Sequence, residues 1–158
     1  SFFKLAQLRR CPSAQNPGHG EIVHKLILFA ECDCRAGLAC DYGGLAAKLM
    51  HPHFMKEEEY ALPPLGLLPM LAKGELTSDM AEALPMTDRL KAELPEMLRE
   101  HGSIVAALRE LADVAKRENR TEYVRFAEKL ILHAQTEEEV SYPTAILIGE
   151  YIKLKLER

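Results

Sequence analysis

The 158-residue sequence has no tryptophan, and aromatic residues make up only 6% of it. It has no dense block of lysine and arginine either, and its formal charge is -4. The electrostatic footprint of a nucleic-acid binder is therefore missing, and no DNA or RNA partner is expected. Long apolar runs are also missing. Stretches such as Leu26 to Ala30 and Ala145 to Gly149 fall far short of the roughly 20 residues that a membrane span requires, so neither a span nor a signal peptide is expected. Of four cysteines, Cys32, Cys34 and Cys40 lie close together and Cys11 stands alone. The C-x-C-x5-C run lacks the second pair that a structural metal site uses, which favours free thiols in a reducing cytoplasm.

What the sequence does have is 47% hydrophobic residues, enough at this length for one domain with a continuous core. The apolar residues recur at steps of three and four, which predicts helices. The first helix is expected from about His19 to Cys34, after Asn16-Pro17-Gly18. The second runs from about Tyr42 to Leu62, with Leu45, Ala46, Leu49, His53, Glu57 and Tyr60 in line, a kink at Pro52 and an end at Pro63-Pro64. A connector over 63–86 contains short helical stretches at most. The third helix, from about Thr87 to Glu118, takes Thr87 or Asp88 as N-cap and aligns Leu94, Met97, His101, Ile104, Leu108, Leu111 and Ala115, with Pro95 as a dividing point. The fourth, from about Thr121 to Ser141, aligns Tyr123, Phe126, Leu130, His133, Glu137 and Val140. Residues 1–16 form an N-terminal extension, and a last amphipathic helix occupies 144–158 beyond Pro143. Short connectors favour antiparallel neighbours, so the expected fold is an all-α, up-down-up-down antiparallel four-helix bundle within a single domain.

The two halves of the chain repeat one pattern. His19-Gly20-Glu21-Ile22-Val23 matches His101-Gly102-Ser103-Ile104-Val105. His53 is followed at four residues by Glu57-Glu58-Glu59 and then by Pro63; His133 is followed in the same way by Glu137-Glu138-Glu139 and Pro143. Residues four apart on an α-helix stand one turn apart, roughly 6 Å along the axis, so one helix can aim an imidazole and a carboxylate into one small volume. Two such helices, with a histidine from each remaining helix, would make a cage of four imidazoles and two carboxylates. Mixed imidazole and carboxylate ligation with open positions suits iron better than a closed structural zinc site. The bland alternative is a set of ordinary core histidines and solvated glutamates. It has to explain why both halves carry the same residues on apolar stripes.

At these residues the sequence resembles the hemerythrin-like, or HHE cation-binding, domain family. The resemblance is carried by His19 with Ile22, His53-Phe54-Met55-Lys56-Glu57-Glu58 before Pro63, Glu100-His101 with Ile104, and His133-Ala134-Gln135-Thr136-Glu137-Glu138 before Pro143, and it spans roughly Pro17 to Tyr151. It implies a hemerythrin-like bundle around two iron ions, a non-haem di-iron centre bridged by carboxylates and an oxo or hydroxo group. His19, His53, His101 and His133 would be terminal ligands, and Glu57 and Glu137 would bridge. Oxygen-carrying hemerythrins place a His-x-x-x-His pair on the third helix; here the residues four before and four after His101 are Met97 and Val105. The carriers also space the acid of the fourth helix five after its histidine, which would select Glu138. A fifth histidine ligand is not evident. The resemblance therefore points away from reversible oxygen carriage and toward members that handle peroxide or nitric oxide, sense oxygen or iron, or repair damaged iron centres.

Reserve ligands are His24, Glu58 and Glu138. His24 lies five after His19 and so points roughly 140° away from it. His51 has no counterpart in the second half, and Tyr60 and Tyr142 are placed to hydrogen-bond a ligand carboxylate or simply to pack. The expected function is binding or reduction of a small oxidant, a diatomic such as oxygen or nitric oxide, or peroxide, with a peroxidase or nitric-oxide-handling oxidoreductase as the enzyme form. The alternative is an oxygen- or iron-sensing module without turnover.

Overall fold

A computed structural model describes residues 38–156 of the chain. Among the described residues every regular element is helical and no strand occurs. Helix α1 spans Leu38–Lys56 and continues as a π-turn over Glu57–Ala61. Two short 3-10 turns, Pro63–Leu67 and Ser78–Ala83, and the single-turn helix α2, Leu68–Leu71, make up the connector. Helix α3 spans Leu84–Arg117, α4 spans Thr121–Thr136, a second π-turn covers Glu137–Ser141, and α5 spans Tyr142–Leu156. Counting each π-turn with its helix, three long helical segments result. The expected helix over 19–34, with His19 and His24, lies outside the described residues, as does the extension over 1–16. None of the described helices is long and apolar enough to cross a membrane.

Several boundaries differ from the sequence expectation. Helix α3 begins at Leu84 and runs without a break through Pro95. Helix α1 likewise contains Pro52. Both prolines are exposed, and the carbonyls whose bonds they forfeit belong to the exposed residues Lys48 and Lys91, where water can satisfy them. Thr87 is not an N-cap. It lies one turn inside α3, buried, and its hydroxyl donates back to the Leu84 carbonyl at 3.0 Å. Pro85 at the second position of α3 suits the first turn, where its missing N–H costs no bond. Likewise Pro143 sits at the second position of α5, so the chain stays helical where a separate C-terminal piece was expected.

Two compact units can be distinguished. In the first, over 38–54 and 96–136, small residues Ala39, Ala46 and Ala47 of α1 share a core with Met50 and Phe54, with Ile104, Leu108, Leu111 and Ala115 of α3, and with Tyr123, Ala127 and Leu130 of α4. Each large apolar side chain buried there contributes about 1.5–3 kcal/mol of transfer free energy. Between α3 and α4 the chain reverses within three residues. Asn119 takes φ 57°, its N–H meets the Lys116 carbonyl at 3.2 Å and the Arg120 N–H meets the Ala115 carbonyl at 2.8 Å, which closes the end of α3 in a Schellman turn. Lys116 and Arg117 in the last turn face the negative end of the helix dipole.

The second unit, over 55–95 and 137–156, holds Leu67, Met80, Ala83, Ile148 and Ile152 in a smaller core, which packs the connector against α5. Here α5 meets the start of α3 through Gly149. A Cβ built on Gly149 would stand 2.6 Å from the Thr87 Cβ, so glycine is required by the approach and not by the backbone. In an open helix, alanine would gain about 1 kcal/mol over glycine. At this position Gly149→Ala instead costs about 1–3 kcal/mol through overpacking, read as a lower thermal unfolding midpoint. A raised midpoint would refute the close approach.

Candidate metal centre

The site begins with the turn spacing of α1. His53 lies in its last turn and Glu57 four residues on, at the first position of the π-turn, so imidazole and carboxylate stand one above the other on an unbroken helix. His101 comes from the middle of α3, and its ring lies against that of His53 with centroids 4.5 Å apart and planes at 56°. His53 is 1% exposed, His101 2% and Glu57 0%. Ligand atoms of His53, Glu57 and His101 all lie within 4.8 Å of one another. An ion bonded to all three at about 2.1 Å would draw them somewhat closer together. Two imidazoles and one carboxylate form a donor set that could hold a divalent cation.

Two further residues hold these donors. His53 Nδ1 meets Glu100 Oε2 at 2.7 Å. A carboxylate accepts and does not donate, so with Glu100 ionised the bond is donated by Nδ1, the arrangement in which a neutral imidazole presents Nε2 to a metal. Glu57 Oε1 accepts a hydrogen bond from the Tyr142 hydroxyl. Burial above all, and then the neighbouring carboxylates of Glu57 and Glu137, push the Tyr142 phenol far up, so it stays protonated and remains a donor.

The second half of the repeated motif has the same local form. Glu137 is 3% exposed and opens a π-turn as Glu57 does, with His133, half-buried, one turn before it on the same continuous helix. Burial separates the acids of each run: Glu58, Glu59 and Glu139 are exposed and Glu138 is intermediate, while Glu57 and Glu137 are buried. His51 is exposed. Among the described residues the buried polar and charged side chains are His53, Glu57, Thr87, His101 and Glu137, and no lysine or arginine is among them.

Glu100 is the supporting residue that periodicity does not reveal, because a residue next to His101 points about 100° away from it on the helix wheel. Tyr60 differs from expectation in its partner: its hydroxyl donates to Glu93 at 2.7 Å, not to a candidate ligand. Arg89 lies over the Tyr60 ring, 4.2 Å from its centroid, and bonds both Glu93 and Glu59 at 2.9 Å. This network ties the first π-turn to the start of α3. No protein-family model, no curated protein and no solved structure matches the chain.

The Tyr60 hydrogen bond, and then that of Arg89, hold the Glu93 carboxyl below its usual value of 4.5. A depressed folded pKa gives stability that is present above the unfolded value and is lost as pH falls through the folded one. Tyr60→Phe should therefore make the loss of thermal stability below about pH 4.5 shallower than in the parent protein. Unfolding midpoints across pH 3–6 read it, and identical acid limbs would contradict it.

Proposed function

We propose that the chain is a hemerythrin-like four-helix bundle whose doubled histidine and glutamate set holds a non-haem di-iron centre, and that this centre binds or reduces a small oxidant such as oxygen, hydrogen peroxide or nitric oxide. The observation that carries the reading is the gathering of three buried donors, His53, Glu57 and His101, within 4.8 Å. The second half supports it: His133 and Glu137 repeat the spacing, the burial of the acid and the π-turn. His19, in the matched position of the first half, would complete the set.

The chain's own residues supply position and seclusion. Glu100 orients His53, Tyr142 orients Glu57, and Phe54, Met97 and Ile104, buried neighbours of His53 and His101 on the same helices, keep water from their side of the site. A bound iron pair would supply the redox chemistry, with an external reductant restoring it in turnover. The second reading is a sensing module in which metal or oxygen occupancy stabilises the fold by mass action and a partner responds.

Metal analysis of protein purified from iron-supplemented cells tests the centre. About two iron equivalents per chain are expected, and less than half an equivalent would overturn it. His53→Ala or His101→Ala should lower the iron content severalfold, whereas His51→Ala, on an exposed side chain, should leave it unchanged. Hydrogen peroxide consumption by the iron-loaded protein separates the two readings: turnover supports the oxidant-reducing form, and its absence with iron bound favours sensing.

A further inference from the structure

We propose that the outer face of α5 is a dimerisation surface, and that the same face of a second copy of this chain, running antiparallel, occupies it. The proposal stands apart from the metal-centre reading and does not depend on it.

It begins with a helix that is apolar on two sides. Tyr142, Ala145, Ile148, Gly149 and Ile152 are buried on the inner side of α5. On the other side Leu147, Tyr151 and Leu154 stand exposed at steps of four and three, preceded by exposed Pro143 and, in the π-turn, by exposed Val140. Val140, Leu147 and Leu154 are each more than half exposed. Single exposed apolar residues need no explanation, but a continuous row of them marks an interaction surface, and a helix apolar all round is one that is covered all round. The charges at one edge of this row are already engaged within the chain: Glu150 meets Lys91, and Lys153 meets Asp88.

The row is symmetric about Leu147. Pro143 and Tyr151 lie four residues to either side of it, Val140 and Leu154 seven, and Glu139 and Lys155, both exposed, eight. Steps of four, seven and eight keep all six within about 80° of the Leu147 direction on the helix. A two-fold, antiparallel pairing centred on Leu147 therefore sets Leu147 against its own copy, Pro143 level with the partner's Tyr151 and Val140 level with the partner's Leu154. It also sets Glu139 level with the partner's Lys155, so each end of the pair joins an acid to a base. A parallel pairing would put like charges together at both ends. That complementarity selects a second copy, in one direction, as the occupant. One helix from each copy makes an interface at the small end of the known range, which fits a reversible dimer.

Sedimentation equilibrium of the full chain at low salt, from about 5 μM to about 500 μM, tests the proposal. A reversible monomer–dimer equilibrium is expected. Leu147→Glu, which sets like charges against each other at the centre, should weaken it at least about tenfold. Glu139→Lys and Lys155→Glu should each weaken it severalfold, and the two combined in one chain should restore it to within about twofold of the parent, a rescue that neither a parallel pairing nor a different surface would give. Circular dichroism of each variant establishes that it folds. A parent protein that is monomeric throughout would overturn the proposal; a lowered unfolding midpoint of Leu147→Glu would then assign the face to another part of the same chain. A dimer indifferent to Leu147→Glu, or a double variant no stronger than the single ones, would overturn it equally.

Discussion

A carboxylate taken out of water must be met by donors or by positive charge, and the described residues include two buried ones, Glu57 and Glu137, at the ends of α-helical runs. Much of the local architecture answers that demand. Each acid sits one turn after a histidine, so an imidazole is delivered beside it by the helix itself. The chain turns each helix into a π-turn at the acid, and π-turns concentrate where side chains serve a function at the expense of regular backbone bonding. In the first turn the Leu62 N–H reaches back five residues to the Glu57 carbonyl at 2.9 Å. Tyr142, buried and neutral, then places a donor on Glu57 that no surface residue could.

The apolar framework around this polar core is ordinary by comparison, and it tolerates features that look disruptive in the sequence. Prolines 52 and 95 stay within helices because they face solvent. Gly149 permits the buried hydroxyl of Thr87 to lie against α5, and Asn119 and Gly74 end their helices in left-handed geometry, the first by an asparagine and the second by a glycine at φ 77°. The charged residues Lys91, Glu150, Lys153 and Asp88 meet on the exterior between α3 and α5, where such pairs contribute little beyond their geometry.

How much of this could be read from the residues depends on the range of the interaction. The periodic spacing of Met97, His101, Ile104, Leu108, Leu111 and Ala115 marks the buried face of α3, because period and burial are local to one helix. The spacing of His53 and Glu57 is legible for the same reason. Identity within the acid runs was open to Glu57 or Glu58 and to Glu137 or Glu138 until burial distinguished them. Pairings across elements were not legible: nothing in the sequence ties Glu100 to His53, or sends the Tyr60 hydroxyl to Glu93. Val140 shows a subtler failure. It continues the stripe of Leu130, His133 and Glu137 on an ideal helix, yet it is 57% exposed because the π-turn interrupts the period there. The burial pattern resumes at Tyr142, Ala145, Ile148 and Ile152.

That interruption gives the π-turn over Glu137–Ser141 the character of a phase corrector. A π-turn is an α-helix that has accepted one surplus residue, and each residue of an α-helix advances the face by about 100°. On an even helix Tyr142, five residues after Glu137, would point about 140° away from it. The π-turn takes up the surplus residue, so Tyr142 keeps the buried face that Glu137 occupies, and its hydroxyl reaches Glu57. An extra residue that would have turned the rest of the helix outward is thereby absorbed within one acidic run, and Val140 is the side chain left exposed by it.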